Sequence, residues 1–180
     1  MNTYNSAHNQ YHNHNNAEAY VKWIMEYQYD FFLTFTPANP NTTLKQLTND
    51  VNQVTKSINN TLKHDDAFIE GFSFAENSKL RANGKGVNYV PHIHMIIRNL
   101  SNVSLKRFQN LIFNRACSIK NGKSRAFNPN YIDVQQVREG TTKQLIDYLT
   151  KSAKFKLNSM ATDFINPLVK AQIQYDGDLH

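Results

Sequence analysis

The sequence predicts an α+β domain built on an antiparallel sheet, and three observations carry that expectation. Apolar residues recur at steps of two in some segments and at steps of three and four in others, the periods of strands and of helices. The two kinds of segment follow one another as strand, helix, strand, strand, helix, strand, helix between Phe31 and Lys154. The length, 180 residues, suits one hydrophobic core with a tail.

Residues 1–16 are rich in Asn and His and carry little to bury, so they read as a disordered tail. His8, His12 and His14 within it are read as part of a solvated low-complexity stretch rather than as a metal site. The folded domain is expected over 17–156. Ala17–Tyr27 has Tyr20, Trp23, Ile24 and Tyr27 at helical spacing. Phe31–Thr36 is a run of aromatic, β-branched and apolar residues stopped by Pro37, Asn39 and Pro40, which predicts a central strand. Thr43 can cap the helix that follows, whose Leu44, Leu47, Val51, Val54, Ile58 and Leu62 lie on one face. His64, Asp65 and Asp66 end it. Ala67–Ala75 is expected as the second strand, and the polar stretch Asn77–Asn88 as a long connection. Tyr89–Arg98 is the third strand. Ser101 or Ser104 caps a helix carrying Leu105, Phe108, Leu111, Ile112 and Ala116. Asn121, Gly122 and Pro129 mark a loop, Tyr131–Val137 a fourth strand, and Gly140–Thr141 the entry to a helix reaching about Lys154. Residues 157–180 form a C-terminal extension with one weak apolar cluster at Phe164–Val169 and no assignable role.

The first six elements have the split βαβ order of a ferredoxin-like antiparallel sheet. In that arrangement strands one and three are central and the helices cover mainly one face. The other face stays open unless a further element covers it. Such a sheet hosts many functions and decides none of them.

Composition narrows the classes. The net charge of +6 and pI of about 9.4 are compatible with a polyanionic partner without demanding one. Cys117 is the only cysteine, which excludes intramolecular disulfides and a zinc site of several thiolates, and fits a reducing cytoplasm. No stretch approaches the roughly 20 apolar residues of a membrane helix, and the polar N-terminus does not read as a secretory signal.

The most informative segment is Pro91-His92-Ile93-His94-Met95-Ile96-Ile97. Alternation along a strand sends His92 and His94 to one face and Ile93, Met95 and Ile97 to the other. The second set suits a helix-covered face. The first puts two imidazoles within reach of one divalent ion on the open face. Two histidines on a half-exposed strand is the plain alternative. A third ligand is expected from a neighbouring strand. An antiparallel hairpin around the 77–90 region sets Glu76 opposite His92, Phe74 opposite His94, and Glu70 opposite Arg98 as an ion pair. A slip of one residue would change the face, leaving Glu76 a loop carboxylate.

Tyr148 lies at the edge of the apolar stripe of Leu145, Ile146 and Leu149, in line with Gln144 and Lys151. An ordinary phenol, with a pKa of about 10, is a poor nucleophile without help. Lys151, three residues on, could approach the phenol or a phosphate beside it. A ring packed on the domain with its hydroxyl in solvent is the alternative.

Together these segments resemble the replication-initiator branch of the HUH endonucleases, which start rolling-circle replication of plasmids and small DNA phages. Phe32-Leu33-Thr34-Phe35-Thr36 looks like the family's first motif, His92-Ile93-His94 like the second, and Tyr148-Leu149-Thr150-Lys151 like the third. The resemblance spans about residues 31–155. It implies an HUH-type nuclease domain and a divalent cofactor, Mn or Mg, held by His92, His94 and Glu76. It implies that Tyr148 attacks a phosphate of single-stranded origin DNA, leaving a 5′-phosphotyrosine and a free 3′-hydroxyl, with Lys151 assisting. Lys79, Arg81 and Lys85 would grip the DNA backbone, although a solvated loop explains those three equally well. The chain departs from the family pattern in having no second tyrosine three or four residues from Tyr148. It also reads as lacking a helicase domain and a Gly-rich phosphate loop that ends in Gly-Lys-Ser/Thr, so unwinding and extension would fall to a host helicase and polymerase. Alternatives are a single-tyrosine transposase, a mobilisation relaxase, and a non-catalytic single-stranded nucleic-acid-binding module using Phe72 and Phe74 as stacking platforms.

Overall fold

A computed structural model of the chain describes residues 19, 21–65, 67–80, 88–155 and 165–167, with the backbone alone described at 65, 76–80, 88–89, 151–155 and 165–167. After a helical turn at 21–25, the chain forms β1 (Phe31–Phe35), α1 (Leu44–Leu62), β2 (Glu70–Leu80) and β3 (Asn88–Arg98). Then follow α2 (Leu105–Ser118), β4 (Lys120–Asn121), β5 (Ser124–Arg125), β6 (Asp133–Gln136), α3 (Thr142–Phe155) and β7 (Ile165–Pro167). The architecture is α+β. Five strands make one antiparallel sheet in the order β6-β1-β3-β2-β7, and β4 pairs with β5 in a separate small ribbon.

The first and third strands lie in the interior of the sheet, as the element order predicts. Pairing of β2 with β3 has the expected register: Glu70 opposite Arg98, Phe74 opposite His94, Glu76 opposite His92. Arg98 closes the ion pair with Glu70 at 2.5 Å.

One face of the sheet holds the larger core. Phe31, Leu33 and Phe35 of β1 and Ile93, Met95 and Ile97 of β3 pack there with Leu47, Val51, Val54, Ile58 and Leu62 of α1 and Phe108, Ile112 and Ala116 of α2. Both helices start at the capping residues their sequences offer. Thr43 Oγ1 accepts from the Gln46 amide at 3.2 Å, and Ser104 Oγ from the Arg107 amide at 3.3 Å. Of the two serines considered, Ser104 is therefore the cap.

The opposite face is only partly open. Phe72, Phe74 and Ile96 form a second core with Ile24 and Tyr29 of the N-terminal segment and Ile146 and Leu149 of α3. Helix α3 thus leaves the chain's last described helical segment lying across the face that carries His92 and His94.

Several boundaries differ from the periodicity. The second strand begins at Glu70 rather than Ala67 and runs through Leu80, into residues expected as a loop. An antiparallel ladder is a backbone structure, so it continues from Asn77↔Pro91 to Leu80↔Asn88 despite polar side chains. The fourth strand starts at Asp133, because Pro129–Tyr131 closes as a 3₁₀ turn with Asn128 Oδ1 accepting from the Asn130 amide. The loop at Asn121–Gly122 is a hairpin. The apolar cluster at 164–169 supplies an edge strand, with Ile165 opposite Phe74 and Pro167 opposite Phe72. The N-terminal tail at 1–16 lies outside the described residues, as does the rest of 157–180. No helix among the described residues is long and apolar enough to cross a membrane.

Candidate functional site

The site is built on strand alternation. His92, His94, Ile96 and Arg98 share the face of β3 turned to α3, since Ile93, Met95 and Ile97 are committed to the larger core. The two imidazoles stand side by side, ring centroids 4.7 Å apart and nearly perpendicular. His94 is buried at 5 % exposure, whereas His92 is half-buried.

Strand β1 holds His94 in place. Thr34 lies opposite it in the ladder, with Thr34 Oγ1 2.9 Å from His94 Nδ1. Phe32, two residues earlier on the same face, stacks on the His94 ring at 5.5 Å and 19°. His92 Nδ1 makes a longer contact of 3.5 Å with the Val90 carbonyl. A carbonyl can only accept, so this contact is a hydrogen bond in the tautomer with the proton on Nδ1, which leaves a lone pair on Nε2. The Thr34 hydroxyl can accept in the same way, which is compatible with the matching tautomer at His94. Protein acceptors at Nδ1 and lone pairs at Nε2 are the arrangement in which histidines ligate metal ions.

Helix α3 brings Tyr148 over this pair. Ile146, Leu149 and Thr150 bury against the sheet, and Thr150 donates to the Ile146 carbonyl at 2.8 Å. Tyr148, next to that stripe, is 58 % exposed, and its ring centroid lies 5.8 Å from that of His94. Three residues separated by up to 56 positions in the chain, His92, His94 and Tyr148, therefore meet at one spot.

Glu76 stands on β2 directly opposite His92, and such cross-strand neighbours have Cα atoms about 4.5–5.5 Å apart. Its side chain lies outside the described residues, as do those of Lys79 and Lys151, whose backbones belong to β2 and α3. Arg81 and Lys85 lie outside the described residues entirely. Among the described residues no three metal-ligating side chains converge. The described part of the donor set, two imidazoles with ring centroids 4.7 Å apart, fits a divalent ion.

Sequence reasoning missed two contributors on β1 and one on β6. Phe32 and Thr34 position His94, and their signal was alternation with the buried Phe31, Leu33 and Phe35. Asp133 pairs with Thr34 across β6–β1, so it stands two strands from His94, about 10 Å away. At that distance it lines the rim and cannot share an ion with His94 directly. Its carboxylate accepts from Gln135 Nε2 at 2.5 Å. Phe72 and Phe74, considered as stacking platforms, are buried at 3 % and 5 % exposure. Trp23 packs edge-on against Phe72 at 4.9 Å, and the guanidinium of Arg98 sits 3.7 Å over the Tyr27 ring. Those two phenylalanines are core residues and offer no face to a base.

Comparison of the chain with protein-family models, with curated protein sequences and with solved structures returned no match.

Proposed function

We propose that this protein is a metal-dependent endonuclease that nicks single-stranded DNA at an origin and rejoins strands, acting as a rolling-circle replication initiator on a ferredoxin-like, HUH-type sheet. The observation that carries the reading is the convergence of His92, His94 and Tyr148, with the His94 and Tyr148 rings 5.8 Å apart. The motif order along the chain supports it from the sequence side.

His92 and His94 would hold Mn or Mg through Nε2, with Glu76 as third ligand from its position opposite His92. The ion, when bound, supplies a Lewis acid that polarises the scissile phosphate. Tyr148 supplies the nucleophile. Its exposure leaves the hydroxyl accessible to a strand lying across α3 and the histidines. The phenol oxygen forms a bond to phosphorus as the bond from phosphorus to the 3′-oxygen breaks, and the phenol proton ends on that departing oxygen. A 5′-phosphotyrosine and a primer 3′-hydroxyl result. Reversal of the same step, with a 3′-hydroxyl attacking the phosphotyrosine, rejoins strands. Lys151, one turn on from Tyr148, would steady the charge on the phosphate.

Phe72 and Phe74 being buried counts against a stacking module as the whole function. The nuclease reading uses the exposed Tyr148 and the paired imidazoles, which that module does not need.

The test is an adduct assay with Mn and a randomised single-stranded oligonucleotide pool labelled at its 3′ end. Label should become covalently attached to the wild-type protein and survive denaturation. Tyr148→Phe should lose at least 99 % of it, on the order of the losses seen when a nucleophile is removed, while binding DNA normally. An adduct that persists in this variant removes Tyr148 from the role. Separately, His92→Ala and His94→Ala should each lower Mn binding measured calorimetrically; affinities equal to wild type would refute the ligand assignment.

A further inference from the structure

We propose that the β4–β5 hairpin and Tyr131 form the surface along which single-stranded DNA approaches the site, the hairpin holding phosphates and Tyr131 stacking on a base. The choice of DNA rests on the nuclease reading; the surface itself is independent of it.

The hairpin is short and strongly basic. Residues 120–125 read Lys-Asn-Gly-Lys-Ser-Arg, three cations and no acid in six positions. All six are exposed. Lys120, Lys123 and Arg125 make no ion pair among the described residues. Register makes this costlier still, because Lys120 lies directly opposite Arg125 in the ladder. Like charges in directly opposed positions destabilise a strand pair. A phosphate between them turns that repulsion into two attractions.

The hairpin is also held rigidly, which a solvated loop does not require. Gly122, at φ +64°, takes the first position of a two-residue turn, where glycine avoids a steric penalty. Asn121 Nδ2 donates to Asp50 Oδ2 at 2.8 Å, and Gln46 Nε2 donates to Asp50 Oδ1 at 2.8 Å. Asp50, the acid that touches the hairpin, is fully buried and engaged by these two amides rather than by the cations. At the base, the Ala126 amide donates to the Ile119 carbonyl, and the Ala38 amide to the Ala126 carbonyl at 2.9 Å.

That last bond places the hairpin beyond the end of β1, at the His92 end of the sheet and on its α1 side, so a strand held there would pass round that end to reach the site. Ala38 follows β1 by three residues, and Phe35 at the end of β1 is opposite Ile93, next to His92. Tyr131 precedes β6, whose first residue pairs with Thr34, and so lies at the same end. It is 60 % exposed. Four residues lie between it and Ala126, five steps along the chain and a reach of at most about 18 Å. Cations along a backbone path with an aromatic ring beside them are the elements of single-strand binding. A duplex would offer the cations phosphates, but would offer Tyr131 no unstacked base.

Binding measured by fluorescence anisotropy in EDTA tests this, using a labelled mixed-sequence single strand and a duplex of the same sequence across a salt titration. For the triple variant Lys120→Ala, Lys123→Ala, Arg125→Ala, the slope of log K against log salt on the single strand should be shallower by about 2, from roughly 0.7 per phosphate contact. Tyr131→Ala should weaken single-strand binding about tenfold with the salt slope intact, and leave the duplex unaffected. A triple variant with the wild-type slope overturns the hairpin's role, and equal losses on both DNAs in Tyr131→Ala overturn the stacking role. Adduct formation separates the two readings. Hairpin-dependent binding without any adduct supports the surface and sinks the nuclease, whereas adduct formation with wild-type binding in both variants does the reverse.

Discussion

Thr34 is the residue whose role is most sharply defined by its contacts. Its hydroxyl meets His94 Nδ1 at 2.9 Å, in a ladder position directly opposite that histidine. Valine has the same shape but no acceptor, so Thr34→Val leaves the ring packed by Phe32 while freeing its tautomer. Partners that orient a ligating histidine typically contribute about 10- to 100-fold in metal affinity. Thr34→Val should therefore weaken Mn binding within that range by calorimetry, and Thr34→Ser should restore it. Equal affinities in the three proteins would show that packing alone orients His94. At this scale the placement of His92, His94 and Tyr148 was legible. His92 and His94 were readable because alternation with Ile93, Met95 and Ile97 admits one orientation in a sheet covered by helices. Thr34 was not, since nothing in a single strand says which residue its neighbour will place opposite.

The hairpin of β2 and β3 is the element that decides whether Glu76 can join the proposed site, because its register puts Glu76 opposite His92. Gly71 fixes that register where β2 begins. Its φ is +153°, and an added Cβ would stand 1.9 Å from the Ile96 carbonyl oxygen, which is backbone and cannot swing away. Gly71→Ala should cost about 2–4 kcal/mol of stability, the range of severe backbone and packing lesions. Urea unfolding would read this, and a loss under about 0.5 kcal/mol, the range of neutral surface changes, would mean that the ladder yields locally. An antiparallel hairpin around residues 77–90 was the expectation that put Glu76 opposite His92; the sequence left a one-residue slip open, and the ladder itself fixes the register. Other elements were not legible. β7 is three residues long in a weak apolar cluster, and its pairing depends on a free edge of β2 that no local pattern records. The β4–β5 ribbon carries only polar residues, which periodicity reads as loop; its identity lies in the Gly122 turn and the bonds to Asp50.

Across the described molecule, the sheet has two cores rather than one, and the second ties the segment around Ile24 and Tyr29 to α3 over the site face. Tyr29 is the buried joint of that second core. Its hydroxyl donates to the Ile24 carbonyl at 2.7 Å, closing the N-terminal segment, and its ring meets Phe72 at 6.4 Å. Burial pushes its ionisation well above the usual phenol range, with Arg98 opposing only in part. The sign of the consequence follows from linkage. Below about pH 10, the ordinary phenol value, both folded and unfolded states keep the proton and the group contributes nothing to pH dependence. Above it the unfolded chain loses the proton while the folded chain retains it, so stability falls as pH rises. One such group gives a limiting slope of about 1.4 kcal/mol per pH unit. Tyr29→Phe removes the titrating hydroxyl, at the cost of one hydrogen bond worth about 1 kcal/mol. The variant should be less stable than wild type at pH 8, and the gap should close between about pH 10 and 11 as the wild type alone pays for keeping Tyr29 protonated. Urea midpoints at the two ends of that range measure it, because the lysines and other tyrosines titrate alike in both proteins. A gap that stays constant would show that Tyr29 is hydrated in the native state, and that the second core is looser over the site face than its packing indicates.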